Sequence, residues 1–182
     1  TAGLAEIAAG SIAMGLGGYL AGRTEIEHYD SEERREYDEI EHLREVEIRE
    51  TKEIFAEYGL NEELQEKIAE EMAKDPKKWV DFMMRFELGL ERPDKNRALV
   101  SAFVIGVSYV VGGLIPLSAY FFTSTAQQGL IYSSIITLVC LMIFGLVKSK
   151  LTGQPLLKGA LRVVIVGTLA AGAAFGLAKM IA

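Results

Sequence analysis

An all-α integral membrane bundle carrying a charged helical insert is the fold class this sequence predicts, and three observations predict it. Residues 1–22, 98–122, 129–147 and 156–182 are nearly free of charge, and each is close to the roughly 20 residues a helix needs to cross the hydrocarbon core. Residues 23–97 hold 24 of the 25 Asp and Glu with 14 of the 19 Lys and Arg, net −10, while the rest of the chain sets five bases against one acid, Glu6. That block is also rich in strong helix formers (Glu, Arg, Lys, Ala, Leu). The mean hydropathy of +0.22 therefore averages over two solvents. The reading is four transmembrane helices, with a three-helix acidic domain at 23–97 inserted after the first. A net charge of −6 argues against a nucleic-acid partner, whose phosphates need basic surfaces. The single Cys140 cannot form an intrachain disulfide and reads as a small apolar packing residue.

The first run, TAGLAEIAAGSIAMGLGGYLAG, has small residues four apart at Ala9/Ala13, Ala13/Gly17 and Gly18/Gly22. In lipid, helices associate through close backbone approach of this kind, so this helix is expected to pack against others, a second subunit among them. Glu6 is its anomaly. An ionised carboxylate in the bilayer is costly and usually faces a pore or cavity; the bland alternative is a position near the membrane surface. Met14 lies eight residues on, about 12 Å along the axis and roughly 80° round, and by itself reads as core or lipid-facing. The run starts at Thr1 without a basic n-region, unlike a signal peptide, and further residues are expected upstream.

Residues 23–58 read as helix continuing the first span or following a short bend. On one continuous helix Glu36, Glu39, Glu47 and Glu50 fall at about 0°, 300°, 20° and 320°, a stripe some 80° wide over about 21 Å. Like charges at this spacing repel, so the stripe asks for a counter-charge; a solvated face neighboured by Arg34, Arg35, Arg44, Arg49 and Lys52 is the plain alternative. Gly59 ends the segment, and Asn61 is placed to cap the next helix, 62–74. Asp75 then caps a third, with Pro76 at its first position. On that helix Met83 and Met84 are four and three residues before Glu87, so two thioethers and a carboxylate can converge. The same periodicity makes Trp79, Phe82, Met83 and Phe86 a core stripe.

Gly112, Gly113 and Pro116 suggest a kink in the second span, tolerated where neighbouring helices pack around it. Tyr120, Phe121 and Phe122 resemble an interfacial aromatic belt. Arg23, Arg92, Lys95, Arg97, Lys148, Lys150, Lys158 and Arg162 flank the spans on one side, against Lys179 alone on the other. The positive-inside rule then puts the acidic block and the 148–158 turn in the cytosol.

Carboxylate oxygens suit hard and borderline divalent ions, whereas thioethers are refused by Mg²⁺ and Ca²⁺. A mixed Glu/Met set points to a transition metal such as Fe²⁺, with Zn²⁺, Co²⁺ and Mn²⁺ as substitutes. With two histidines and one cysteine, a Cys/His structural zinc site is excluded. Weak, exchangeable carboxylate sites suit a protein that must release its metal, and an acidic surface concentrates cations near a pore mouth. Glu6 would then take the ion within the membrane and exchange it for a proton.

The strings GLAEIAAGSIAMGLGGYLAGRTE (3–25), DFMMRFELGLE (81–91), RALVSAF (97–103) and VGGLIPL (111–117) resemble the vacuolar iron transporter family, over nearly the whole chain. The resemblance implies a homodimer of five-span subunits in the vacuolar membrane, or the plasma membrane of a prokaryote. It implies a cytosolic three-helix metal-binding domain and export of Fe²⁺ from the cytosol driven by proton counterflow, with no prosthetic group and no enzymatic activity. By position, Glu36, Glu39, Glu47, Glu50, Met83, Met84 and Glu87 match its metal ligands, and Glu6 and Met14 its pore-lining residues. Four of the five spans are in this sequence; the family's first, bearing a pore-lining Asp, has no counterpart here.

Two other functions compete. A membrane-anchored scaffold or metal sensor would use the charged helices without needing an acid in the bilayer. A di-iron enzyme would want Glu-x-x-His pairs on two separate bundle helices, and the two such spacings, Glu25/His28 and Glu39/His42, fall on the same helical stretch.

Overall fold

The computed structural model describes residues 1–181, and residue 182, the end of the fourth expected span, lies outside them. The described residues form seven α-helices and one 3₁₀ turn: α1 Ala2–His42, α2 Arg44–Glu57, α3 Glu62–Met72, α4 Pro76–Phe86, α5 Arg97–Ser118, a 3₁₀ turn Ala119–Phe121, α6 Ala126–Leu151 and α7 Leu156–Ile181. The expected all-α class holds, and four helices, α1, α5 with its 3₁₀ extension, α6 and α7, are long and apolar enough to cross a membrane. The chain divides into two compact units, residues 13–105 and residues 1–12 with 106–182.

In the 13–105 unit, α1 continues as helix from the first span through His42 and stops at Leu43, whose φ −123, ψ 30 breaks the hydrogen-bond register before α2 begins. The expected single stretch over 23–58 is thus two helices. No Gly or Pro marks the break. The predicted caps are in place: the Asn61 side chain accepts from the Leu64 N–H at 3.0 Å, and Asp75 from the Lys78 N–H at 3.3 Å, with Pro76 in the first turn of α4. Gly59 and Gly89 take φ +80 and +64 at the ends of α2 and α4, a backbone region that glycine enters without a Cβ penalty.

The core of this unit is Tyr29, Ile40, Ala73, Trp79, Val80, Met83 and Met84, with Ile48, Ile54, Met72, Phe82, Leu88 and Leu90 packed against it. The expected stripe on α4 holds at Trp79 and Met83. Phe82 is half-buried and stacks on Phe55 with centroids 5.2 Å apart. Phe86 departs from it, 48% exposed and tilted against Phe82, at the last residue of α4. At the root of the unit, a Cβ on Gly22 would lie 2.6 Å from the Ala98 Cα, so α1 and α5 touch backbone to backbone. Glu25–Arg97 and Glu33–Arg92 ion pairs tie the 87–97 connection to α1.

In the other unit, α6 and α7 form a hairpin whose backbones approach at Gly145/Ala160 and Gly159/Ser149. Helix α5 runs through Pro116 and ends two residues later, at Ser118, in the 3₁₀ turn. Phe121 and Phe122 project outward there, as an interfacial position requires.

Candidate metal centre

Glu36 on α1, Glu47 on α2 and Glu87 at the C-terminal cap of α4 each bring one carboxylate oxygen within 4.8 Å of the other two. Two are deeply buried, Glu36 at 1% and Glu47 at 2% exposure; Glu87 is exposed and forms the open side. Glu36 Oε2 and Glu47 Oε2 have no hydrogen-bond partner. Buried polar atoms are normally satisfied, so this pair is unusual.

Local chain geometry fixes each member. Glu87 and Leu88 donate their N–H groups to the Met83 carbonyl at 2.9 and 3.2 Å, and Leu90 donates to Met84 at 2.7 Å. This closed cap on α4, with Gly89 beyond it, sets where Glu87 stands. A helix C-terminus carries partial negative charge, which favours a cation at this point. Glu47 is held one turn before Thr51, whose hydroxyl donates to the Glu47 carbonyl at 2.8 Å.

Electrostatics follow from burial. Desolvation, then the neighbouring Glu87, Glu47 and Glu39, pushes the Glu36 carboxyl up from 4.5 to about 8. Desolvation, then Glu50, Glu87 and Glu39, pushes Glu47 up to about 7. Glu87 is raised by desolvation and by Glu50 and Glu39. The opposing cation in all three cases is Arg35, which is already engaged with Glu32 at 2.7 Å and Glu39 at 3.6 Å.

All four acids of the expected stripe bear on one place, but not as a stripe. Glu36 and Glu39 belong to α1, Glu47 and Glu50 to α2, and the break at Leu43 separates them. The wheel drawn on one continuous helix does not describe this chain; packing of two helices against α4 brings Glu36 and Glu47 to Glu87, and Glu39 and Glu50 raise the trio's carboxyls from beside it. Met83 and Met84 are fully buried in the core. The Met83 sulfur lies 3.4 Å from the Thr51 hydroxyl, and the same hydroxyl oxygen accepts from Trp79 Nε1 at 2.8 Å. Thr51 was not visible in the sequence as a site residue; its one signal was a hydroxyl one helical turn after Glu47 on a charged helix.

Three oxygens at this separation suit a divalent ion. With metal–oxygen bonds of about 2.1 Å, donors on opposite sides of an ion are roughly 4.2 Å apart, so small side-chain rotations close the set.

In the unit formed by residues 1–12 and 106–182, Glu6 accepts a hydrogen bond from the Tyr109 hydroxyl at 3.0 Å. It lines a cavity of about 570 Å³ with Gly3, Tyr109, Gly112, Gly113 and Pro116. Glu6 is exposed in the single chain, and a Cβ on Gly10 would meet the Tyr109 ring at 2.3 Å. Glycine here lets the tyrosine lie against α1 and reach Glu6. Tyr109, too, escaped the sequence reading, where it was one hydroxyl in an apolar run. Met14, in the other unit, is exposed on α1.

A family model described as the VIT family matches residues 1–179. The chain is 48% identical over 181 residues to vacuolar iron transporter 1 of Tulipa gesneriana, covering 100% of this chain and 73% of that protein. It is 49% identical over 179 residues to a vacuolar iron transporter of Centaurea cyanus, covering 98% and 73%. Protein CCC1 of Saccharomyces cerevisiae is 38% identical over 190 residues, covering 100% of this chain and 59% of that protein.

Proposed function

Because this chain belongs to the VIT family, we propose that it carries Fe²⁺ from the cytosol across the vacuolar membrane in exchange for protons, as a transporter and not an enzyme. The names of its relatives, vacuolar iron transporters among them, support iron as cargo. One observation carries the reading: Glu36, Glu47 and Glu87 converge with two buried oxygens unpartnered. A cation that replaces protons on these groups satisfies what the fold leaves unsatisfied.

The acidic helices are the capture site. Glu36, Glu47 and Glu87 take the ion, Glu39 and Glu50 add field and exchange ligands, and Met83 and Met84 supply soft donors. Fe²⁺ is the cargo, with Zn²⁺, Co²⁺ and Mn²⁺ as substitutes. Glu6 receives the ion within the membrane, losing a proton as it does so, and Met14 lines the path. A homodimer completes the pore, the exposed small-residue face of α1 being suited to close helix packing.

Proteoliposomes with the full-length protein test this. Iron uptake driven by a pH gradient should be lost in Glu6→Ala, while calorimetric binding of Co²⁺ persists. In Glu36→Ala/Glu39→Ala/Glu47→Ala/Glu50→Ala that binding should vanish. Uptake unchanged by Glu6→Ala defeats the pore assignment; equal binding heats from the quadruple variant defeat the capture site.

A further inference from the structure

The turn between α6 and α7 carries cations that the transport path does not use. Lys148, Lys150, Lys158 and Arg162 fall close together, and residues 106–182 contain no Asp or Glu. Among the described residues none of the four forms an ion pair. The positive-inside rule accounts for the charge but not for the shape around it.

That shape comes from the close approach of the two helices. A Cβ on Gly159 would lie 1.9 Å from Ser149 Oγ. Gly153 takes φ +65, and the Gln154 N–H donates to the Ser149 carbonyl at 2.9 Å, closing the turn. A cavity of about 240 Å³ remains, lined by Lys148, Thr152, Gln154, Lys158 and Arg162 among others. Lys158 and Arg162 share one face of α7, and Lys148 and Thr152 one face of α6, by their i,i+4 spacing. The free N–H groups at the start of α7 open on the same turn, a polarity that favours anions.

We propose that this cavity binds the phosphate-bearing headgroup of an anionic membrane lipid. Three cations and an amide around one concavity are phosphate chemistry. The membrane supplies the phosphate because α6 and α7 are of membrane-spanning length and end here, at headgroup depth. Leu151 and Leu157, 82% and 67% exposed, stand beside the cations, as a site with acyl chains below the headgroup requires and a site for free phosphate does not. Basic pockets between membrane helices on the cytosolic side are suited to such lipids.

The test titrates the detergent-purified full-length protein with a short-chain fluorescent phosphatidylinositol phosphate, with inorganic phosphate and short-chain phosphatidylcholine as competitors. Wild type should bind the anionic lipid, and neither competitor should displace it efficiently. Lys158→Gln/Arg162→Gln should bind roughly 25-fold more weakly, at about 1 kcal/mol for each cation near a membrane surface. Lys158→Arg/Arg162→Lys and Lys179→Gln, the last at the far end of α7, should bind as wild type. Equal binding by the wild type and the Gln pair overturns the proposal, as does a charge-conserving swap that binds no better than the Gln pair. Displacement by inorganic phosphate as effective as by unlabelled lipid overturns the membrane source.

Discussion

Glu36 and Glu47 each bury a carboxylate oxygen without a hydrogen-bond partner, and each brings an oxygen within 4.8 Å of the other. They stand on different helices, joined through the break at Leu43. A buried carboxylate pair opposes folding when ionised, and proton or metal relieves it.

The sign of the pH dependence follows. Both carboxyls are raised on folding, Glu36 from 4.5 to about 8 and Glu47 to about 7, chiefly by desolvation. Above pH 4.5 the unfolded chain loses protons that the folded chain keeps. Without metal, the stability this pair contributes should therefore be fully present below pH 4.5 and be lost as pH rises to about 8, by at most about 1.4 kcal/mol per pH unit for each group. Thermal melts across that window, followed by the single Trp79, check this. Glu36→Gln/Glu47→Gln should flatten the slope, and a wild-type slope already flat would contradict the burial argument.

Metal and protons compete for the same oxygens, so binding should release protons. Calorimetry of Co²⁺ binding in buffers of different ionisation enthalpy should find about one to two protons released per ion near pH 7, with affinity rising toward pH 8. Glu36→Gln should reduce both the affinity and the proton count.

The Thr51 hydroxyl accepts from Trp79 Nε1 at 2.8 Å and donates to the Glu47 carbonyl at 2.8 Å, with the Met83 sulfur 3.4 Å away. Thr51→Val keeps the shape but strands the indole N–H, at a cost of about 1–3 kcal/mol. The Trp79 emission should shift, and Co²⁺ affinity should fall if Met83 is held as a donor; Thr51→Ser should restore both. An unshifted spectrum in Thr51→Val would mean that the indole bond is not made.

Tyr109→Phe removes the donor to Glu6. A hydrogen bond of this kind contributes about 0.5–1.5 kcal/mol, so iron uptake into proteoliposomes should fall by up to roughly tenfold, with metal binding to the acidic helices unchanged. Uptake at the wild-type rate would remove Tyr109 from the path.

Gly22→Ala places a methyl 2.6 Å from the Ala98 Cα, where neither backbone has room to yield. Overpacking of this kind costs about 1–3 kcal/mol, and the melting temperature in detergent should drop accordingly. Gly176→Ala on α7, with open space around its Cβ position, is the matched control.

These tests also separate what the residues disclosed from what only packing could. Hydropathy located the four helices that are long and apolar enough to cross a membrane, because a bilayer imposes a length that composition can report. Asn61, Asp75 and Pro76 announced their helix starts, because capping is local chemistry. The end of α1 at Leu43 was hidden, since neither Gly nor Pro is there and leucine is a good helix former. The four stripe acids were picked out by a wheel that assumed one helix, and their convergence with Glu87 depends on contacts between helices distant in sequence. Thr51 and Tyr109 are ordinary residues whose importance lies in what they touch.

An ion held jointly by Glu36 and Glu87 would close a loop of roughly fifty residues. Such an ion works as a removable staple: it constrains the unfolded chain and stabilises the folded one in proportion to its free concentration. With the proposed ion absent, the acidic helices would loosen and become better protease substrates. With the proposed ion abundant they would tighten, and the lifetime of the carrier would follow the supply of what it carries.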